Sequence, residues 1–144
     1  MEKIEAVVDV MTAGHRLGLV VARETGSTTP AAQWRALSVL VNHGPLRLGA
    51  LADACRVTQP GITRLVRGMT AAGLVEKDPD PSDARAVVIR ITDAGRAARI
   101  AWIETVREVL APRFADLTDD EWSAVFTTAA LLAERTSDIS IGAE

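Results

Sequence analysis

The amino-acid sequence predicts a mostly α-helical fold of the α+β class, with long helices at both ends and one small β-hairpin near the middle. Three patterns carry that expectation. Apolar residues recur at helical spacing near the start, at Ile4, Val7, Val8 and Met11, and again late, at Ile100, Ile103 and Val106. Residues 48 to 55 and 58 to 72 read as two short helices with only Arg56 and Val57 between them. The stretch DPDPSDARAVVIRIT, residues 78 to 92, then changes to a period of two, with Val87, Ile89 and Ile91 on one side and Ala86, Val88 and Arg90 on the other.

In chain order, the first helix continues through Leu17, Leu19, Val20 and Val21 until GSTTPAAQ breaks it. Pro30 suits the opening of a second helix that carries Trp34, Leu37, Leu40 and Val41 and stops at HGP. Leu46 begins a short extended piece that leads into LGALADAC, with Leu48, Leu51 and Ala52 on one face. Thr58 is a good N-cap for the next helix, Pro60 is tolerated in its first turn, and Gly73 can end it. Leu74 to Lys77 supply a partner strand. Two prolines two apart fit neither a helix nor a central strand, so residues 78 to 84 are expected as the exposed tip of the hairpin. Thr92 caps a helix that runs to Pro112. In the last helix, Thr118 and Glu121 have the spacing of a capping box, Leu117 can staple against Trp122, and the apolar face continues through Val125, Phe126, Ala129 and Ala133.

At 144 residues the chain is expected to be a single unit, residues 1–144, with a core of its own. No apolar run is long enough to cross a membrane, and the acids in MEKIEAVVDVM do not suit a secretory signal. A single cysteine, Cys55, rules out an internal disulfide and fits a reducing cytoplasm, the expected location. The net charge of −3 hides an asymmetry: residues 44 to 99 hold nine Lys/Arg against six Asp/Glu, and the remainder holds seven against thirteen. A mildly basic centre flanked by acidic arms is a pattern of nucleic-acid binders.

Two short helices with a tight connection make a helix-turn-helix, which lays its second helix in a major groove. Residues 58 to 72 would span about 22 Å, enough to lie across the groove. The first turn presents the backbone N–H groups of Gln59 and Gly61, and a helix N-terminus attracts phosphate. Gln59, Thr63 and Arg64 are the candidates for base edges, with Thr58 at the cap, and Arg67 can meet a base or a phosphate. On an arbitrary helix Arg64 and Arg67 would be a solvated face; their position here favours DNA. The hairpin that follows would extend along the duplex and carry Arg85 to the neighbouring minor groove. Asp83 can accept backbone N–H bonds in the turn or pair with an arginine, which makes it a support for this wing. Arg90, on the same hairpin, is a further candidate for DNA contact, although it and Lys77 can equally be solvated strand residues.

The segment GPLRLGALADACRVTQPGITRLVRGMTAAGLVEKDPDPSDARAVVIRITDAG, positions 44 to 95, resembles the MarR family of winged helix-turn-helix regulators, above all in D-x-R followed by a strand, Thr92, Ala94 and Gly95. The resemblance implies a DNA-binding region at 44–95 and an obligate homodimer joined through dimerisation helices at 1–28 and 96–144. It further implies a pseudo-palindromic, inverted-repeat operator in double-stranded DNA, and release by a small ligand or by oxidation. It assigns minor-groove contact to Arg85 and wing support to Asp83. The ligand cleft implied between the dimer layer and the winged region makes His15, Arg16, Trp34 and His43 the ligand candidates, with an aromatic carboxylate as the family's usual effector. Two positions depart from the pattern. Ala84 stands where many members have the first of two arginines, and Arg47 stands where a Ser or Thr commonly caps the first helix of the motif. Arg47 is a candidate for a phosphate contact instead.

Other chemistry finds little footing. Cys55 ends a helix among apolar residues, away from where oxidant-sensing relatives place their thiol, and reads as buried and inert. His15 and His43 are isolated, so neither a metal nor a cofactor is expected. Trp34, Trp102 and Trp122 fall within helical apolar patterns, in the core or the dimer seam. No nucleophile triad, phosphate-cradling loop or paired carboxylate motif is present, so an enzyme is not expected. The expected function is a dimeric, ligand-responsive repressor. The alternative is a dimeric small-molecule sensor or protein-interaction module of the same fold that no longer binds DNA.

Overall fold

The computed structural model describes residues 2–137. Its elements are α1 (Lys3–Thr25), α2 (Ala31–His43), β1 (Leu46–Arg47), α3 (Leu48–Cys55), α4 (Gln59–Ala71), β2 (Val75–Asp80), β3 (Asp83–Ile91), α5 (Asp93–Leu110), a 3-10 turn at Ala111–Phe114, and α6 (Asp119–Arg135). The strands form one antiparallel sheet in the order β1-β3-β2. Part of the predicted dimerisation segment 96–144, residues 138–144, lies outside the described residues.

Local chemistry places most of the boundaries. Glu2 and Glu5 close a capping box at the start of α1, and Gly26 ends it with φ 65°. The Thr58 side chain accepts the Gly61 N–H at the start of α4, and Thr118 and Glu121 cap α6 reciprocally. Thr92 does two things: its hydroxyl accepts the Gly95 N–H at 3.0 Å and donates to the Gly73 carbonyl at 2.6 Å, which ties the start of α5 to the end of α4. Gly95 is required by space. A Cβ there would lie 2.1 Å from the Leu74 carbonyl oxygen, so α5 can cross the base of the hairpin this closely only at a glycine.

The hairpin corrects one expectation. Residues 78 to 84 are not an open loop, because pairing runs from Val75↔Ile91 to Pro79↔Val87 and resumes at Asp80↔Asp83, with Pro81 and Ser82 at the turn and a register shift that leaves Ala84, Arg85 and Ala86 without a partner in β2. The prolines excluded a central strand, and β2 is an edge strand whose outer side has no partner, where a missing N–H costs nothing.

The core is built almost wholly from α2 to β3: Leu37 and Leu40, Leu51 and Cys55, Ile62, Val66 and Met69, and Val75, Ile89 and Ile91. The core beneath the 44–95 region reaches back into α2, which closes it with three buried residues. The long helices contribute little inside the subunit. Val21 is the buried residue of α1, Gly95 that of α5, and α6 has none. Arg99 Nε to Ser38 Oγ at 3.0 Å ties α5 to α2, and Arg113 of the 3-10 turn pairs with Glu24 of α1 at 2.5 Å. Trp34 of α2 also stacks on Trp102 of α5, with ring centroids 4.9 Å apart and planes 6° from parallel. Among the described residues no helix is long and apolar enough to cross a membrane.

Candidate nucleic-acid interface

The α4 helix divides cleanly by face. Ile62, Val66 and Met69 are buried against the core, while Gln59, Thr63, Arg64 and Arg67 are exposed. The spacing of the buried set, four and three residues, turns a single stripe inward and leaves the polar side chains on the outer arc. At 13 residues the helix is about 20 Å long, the reach of a major-groove contact. Two candidates are partly committed elsewhere. The Gly61 N–H is taken by Thr58 Oγ1 at 3.2 Å, so it is not the free phosphate donor the sequence suggested. The Thr63 hydroxyl donates to the Gln59 carbonyl at 2.9 Å and retains its acceptor capacity. The Gln59 side chain reaches toward α3, with its Nε2 3.7 Å from the position a Cβ would occupy on Gly49.

The wing tip is organised by two aspartates. Asp83 Oδ1 accepts the Arg85 N–H at 3.0 Å, which fixes the backbone from which the exposed Arg85 side chain projects. Asp80 Oδ1 accepts both the N–H and the hydroxyl of Ser82, at 2.9 and 2.8 Å, and its Oδ2 meets Arg47 Nε at 2.6 Å. The Ser82 N–H, followed by the Arg47 side chain, holds the Asp80 carboxyl down at a pKa of about 2. Asp80 was not picked out in the sequence, because its ion-pair partner stands 33 residues earlier.

The candidate arginines fall into two groups. Arg47 is paired with Asp80, and Arg90 sits between Glu76 and Asp78, its Nε 2.5 Å from Asp78 Oδ2. Arg90 therefore acts within the sheet as a cross-strand tie, and its charge is largely answered before any phosphate approaches. Among the described residues, Arg64, Arg67 and Arg85 have no carboxylate within ion-pair distance. Two of these free cations lie on α4 and one at the wing tip, and all are exposed.

A second feature lies behind this surface. A cleft of about 480 Å³ opens between α2 and α5, over Ala54 of α3, with Trp34, Val39, His43, Trp102 and Arg107 in its wall. It brings together two of the four ligand candidates, Trp34 and His43. His15 and Arg16 do not line it; both are exposed on α1. Trp34 Nε1 is buried and has no hydrogen-bond partner among the described residues. Cys55 is buried nearby, and burial pushes its thiol pKa up against the opposing charge of Arg35, the direction of an unreactive thiol. Among the described residues no three side chains are grouped to hold a metal ion.

Comparison with known proteins agrees with this geometry. The MarR family model matches residues 27–86. An uncharacterised helix-turn-helix transcriptional regulator of Mycobacterium bovis is 32% identical over 110 residues, covering 76% of this chain and 77% of its own. The helix-turn-helix transcriptional repressor NicR of Pseudomonas putida is 35% identical over 77 residues, 54% of this chain and 49% of its own. A crystal structure of a Mycobacterium tuberculosis protein superposes with a TM-score of 0.78 at 23% identity, covering 99% of both chains.

Proposed function

The chain belongs to the MarR family of helix-turn-helix transcriptional regulators, and from that premise we propose that it is a homodimeric repressor of the cytoplasm, released from an inverted-repeat operator by a small ligand. It is a regulator, not an enzyme. The observation that carries the DNA contacts is the set of exposed, unpaired arginines: Arg64 and Arg67 on the outer face of α4 and Arg85 at the wing tip. In the complex, α4 enters the major groove with Gln59, Thr63 and Arg64 toward base edges, Thr58 and Arg67 near phosphate, and Arg85 in the adjacent minor groove. Two copies related by a twofold axis read half-sites about 10 base pairs apart.

Repressor action is supported by the likeness to NicR. For the effector, the α2–α5 cleft is the site, and an aromatic carboxylate is the class. The parallel Trp34 and Trp102 rings offer an aromatic wall, and Arg35 and the His43 ring supply polar groups around it, while Arg107 is paired with Glu104. Because α5 leaves the wing directly and α2 closes the reading module, a ligand between them can bias the spacing of the two α4 helices, and a duplex of fixed pitch penalises the wrong spacing. His15 and Arg16, off this cleft, take no part.

The test is binding to operator fragments selected from genomic DNA. Affinity should fall about a thousandfold between 50 and 200 mM salt, as release of counterions from several phosphates requires. Arg85→Ala should weaken binding roughly tenfold, with an unchanged melting temperature. A response flat in salt and indifferent to Arg85 would instead mark an interaction module that has left DNA behind.

A further inference from the structure

Asp80 is a carboxylate near the wing tip that holds Arg47, a cation of the candidate DNA surface. Arg47 ends β1 and Asp80 ends β2, on opposite sides of β3, so their 2.6 Å contact spans the whole sheet. Arg47 is also the residue from which α3 starts, and it gives that helix no side-chain cap. Its guanidinium is committed outward, to the wing. On the other side, Asp80 spends its second oxygen on Ser82, closing the turn that delivers Asp83 and then Arg85. One carboxylate therefore joins the start of the helix-turn-helix to the loop that aims the minor-groove arginine.

We propose that Asp80 is a positioning residue for operator binding: through Arg47 it clamps the wing to the first helix of the reading motif and so fixes Arg85 relative to α4. This rests on the DNA-binding reading above. A wing hinged only at its base would sample many angles, and ordering it on binding would cost affinity that a pre-set tip retains. The clamp also makes a prediction whose sign opposes simple electrostatics. Removing a negative charge beside phosphates should tighten binding if charge alone matters. Removing a positioning residue should weaken it.

The experiment compares wild type, Asp80→Ala, Asp80→Asn, Arg47→Ala and the double variant Asp80→Ala/Arg47→Ala by anisotropy, on the selected operator and on a random duplex. Asp80→Asn keeps an oxygen for Ser82 and loses the ion pair. The expected result is an operator affinity about tenfold weaker for both Asp80 variants, a random-duplex affinity equal to or tighter than wild type, and a double variant no weaker than the weaker single. Without DNA, the amides of Ser82 and Arg85 should exchange faster in Asp80→Ala while helix content stays unchanged. If Asp80→Ala or Asp80→Asn bound the operator as tightly as wild type, or more tightly, the clamp would be refuted while the DNA-binding reading stood. If wild type selected no operator at 50 mM salt, the DNA-binding reading would fail first and the clamp with it.

Discussion

In the central module, Leu37, Leu51, Ile62 and Met69 are fully buried, whereas Ile4, Met11, Ile100 and Phe126 of the long helices are between 59% and 70% exposed. The two regions have comparable apolar patterning and opposite outcomes. Helices α2 to α4 are short and meet at several angles over a sheet, so each finds neighbours on its apolar side within one subunit. Helices α1, α5 and α6 carry stripes that the subunit does not cover. Exposed apolar stripes of this kind mark interfaces, and on the proposed reading a second copy of the chain is the occupant that fits. The winged module is thus folded by its own core, and the proposed dimer layer would be completed by association.

The largest expected effect would come from breaking the first region. Leu37→Ala removes a fully buried side chain and should cost about 3 kcal/mol at any protein concentration, measured by chemical denaturation; a loss below about 1 kcal/mol would mean that the module is not the stability unit. Next is the second region. Phe126→Asp puts a carboxylate on the exposed stripe of α6 and should raise the dimer dissociation constant roughly a hundredfold while leaving helix content intact. Sedimentation that matched wild type would show that α6 is not in the interface.

Acid gives the mildest contrast. The folded pKa of Asp80 is depressed to about 2, and that of Glu121 is lowered by the Thr118 amide and hydroxyl it accepts. For a depressed carboxylate, the stabilisation is complete above the unfolded value near 4 and is lost as pH falls through the folded value. The wing clamp should therefore persist at pH 4 and release only toward pH 2. Carboxyl chemical shifts followed through an acid titration would check this, and an Asp80 midpoint near 4 would remove the clamp from solution.

The caps, the breaks and the order of elements were legible because they depend on residues three or four apart: Thr58 with Gly61, Thr92 with Gly95, Thr118 with Glu121. The alternation in residues 86 to 91 gave the strand, and the tight two-residue connection gave the motif. Less was legible where partners are distant. The two prolines suggested a loose tip, and only the sheet order showed that β2 is an edge able to hold Pro79. Arg47 and Arg90 looked like free cations alongside Arg64 and Arg85, and they are separated from these by carboxylates met across the sheet.

By itself, then, the sequence determined the order and type of the elements, the reading helix with its inner and outer faces, and the family, since period, capping and motif spacing are properties of neighbouring residues. Tertiary structure alone decided which cations are unpaired, which of the four ligand candidates share a cleft, and that α2 belongs to the core of the reading module. Those outcomes depend on contacts between elements far apart in the chain, and no local pattern encodes the distance at which a guanidinium and a carboxylate finally meet.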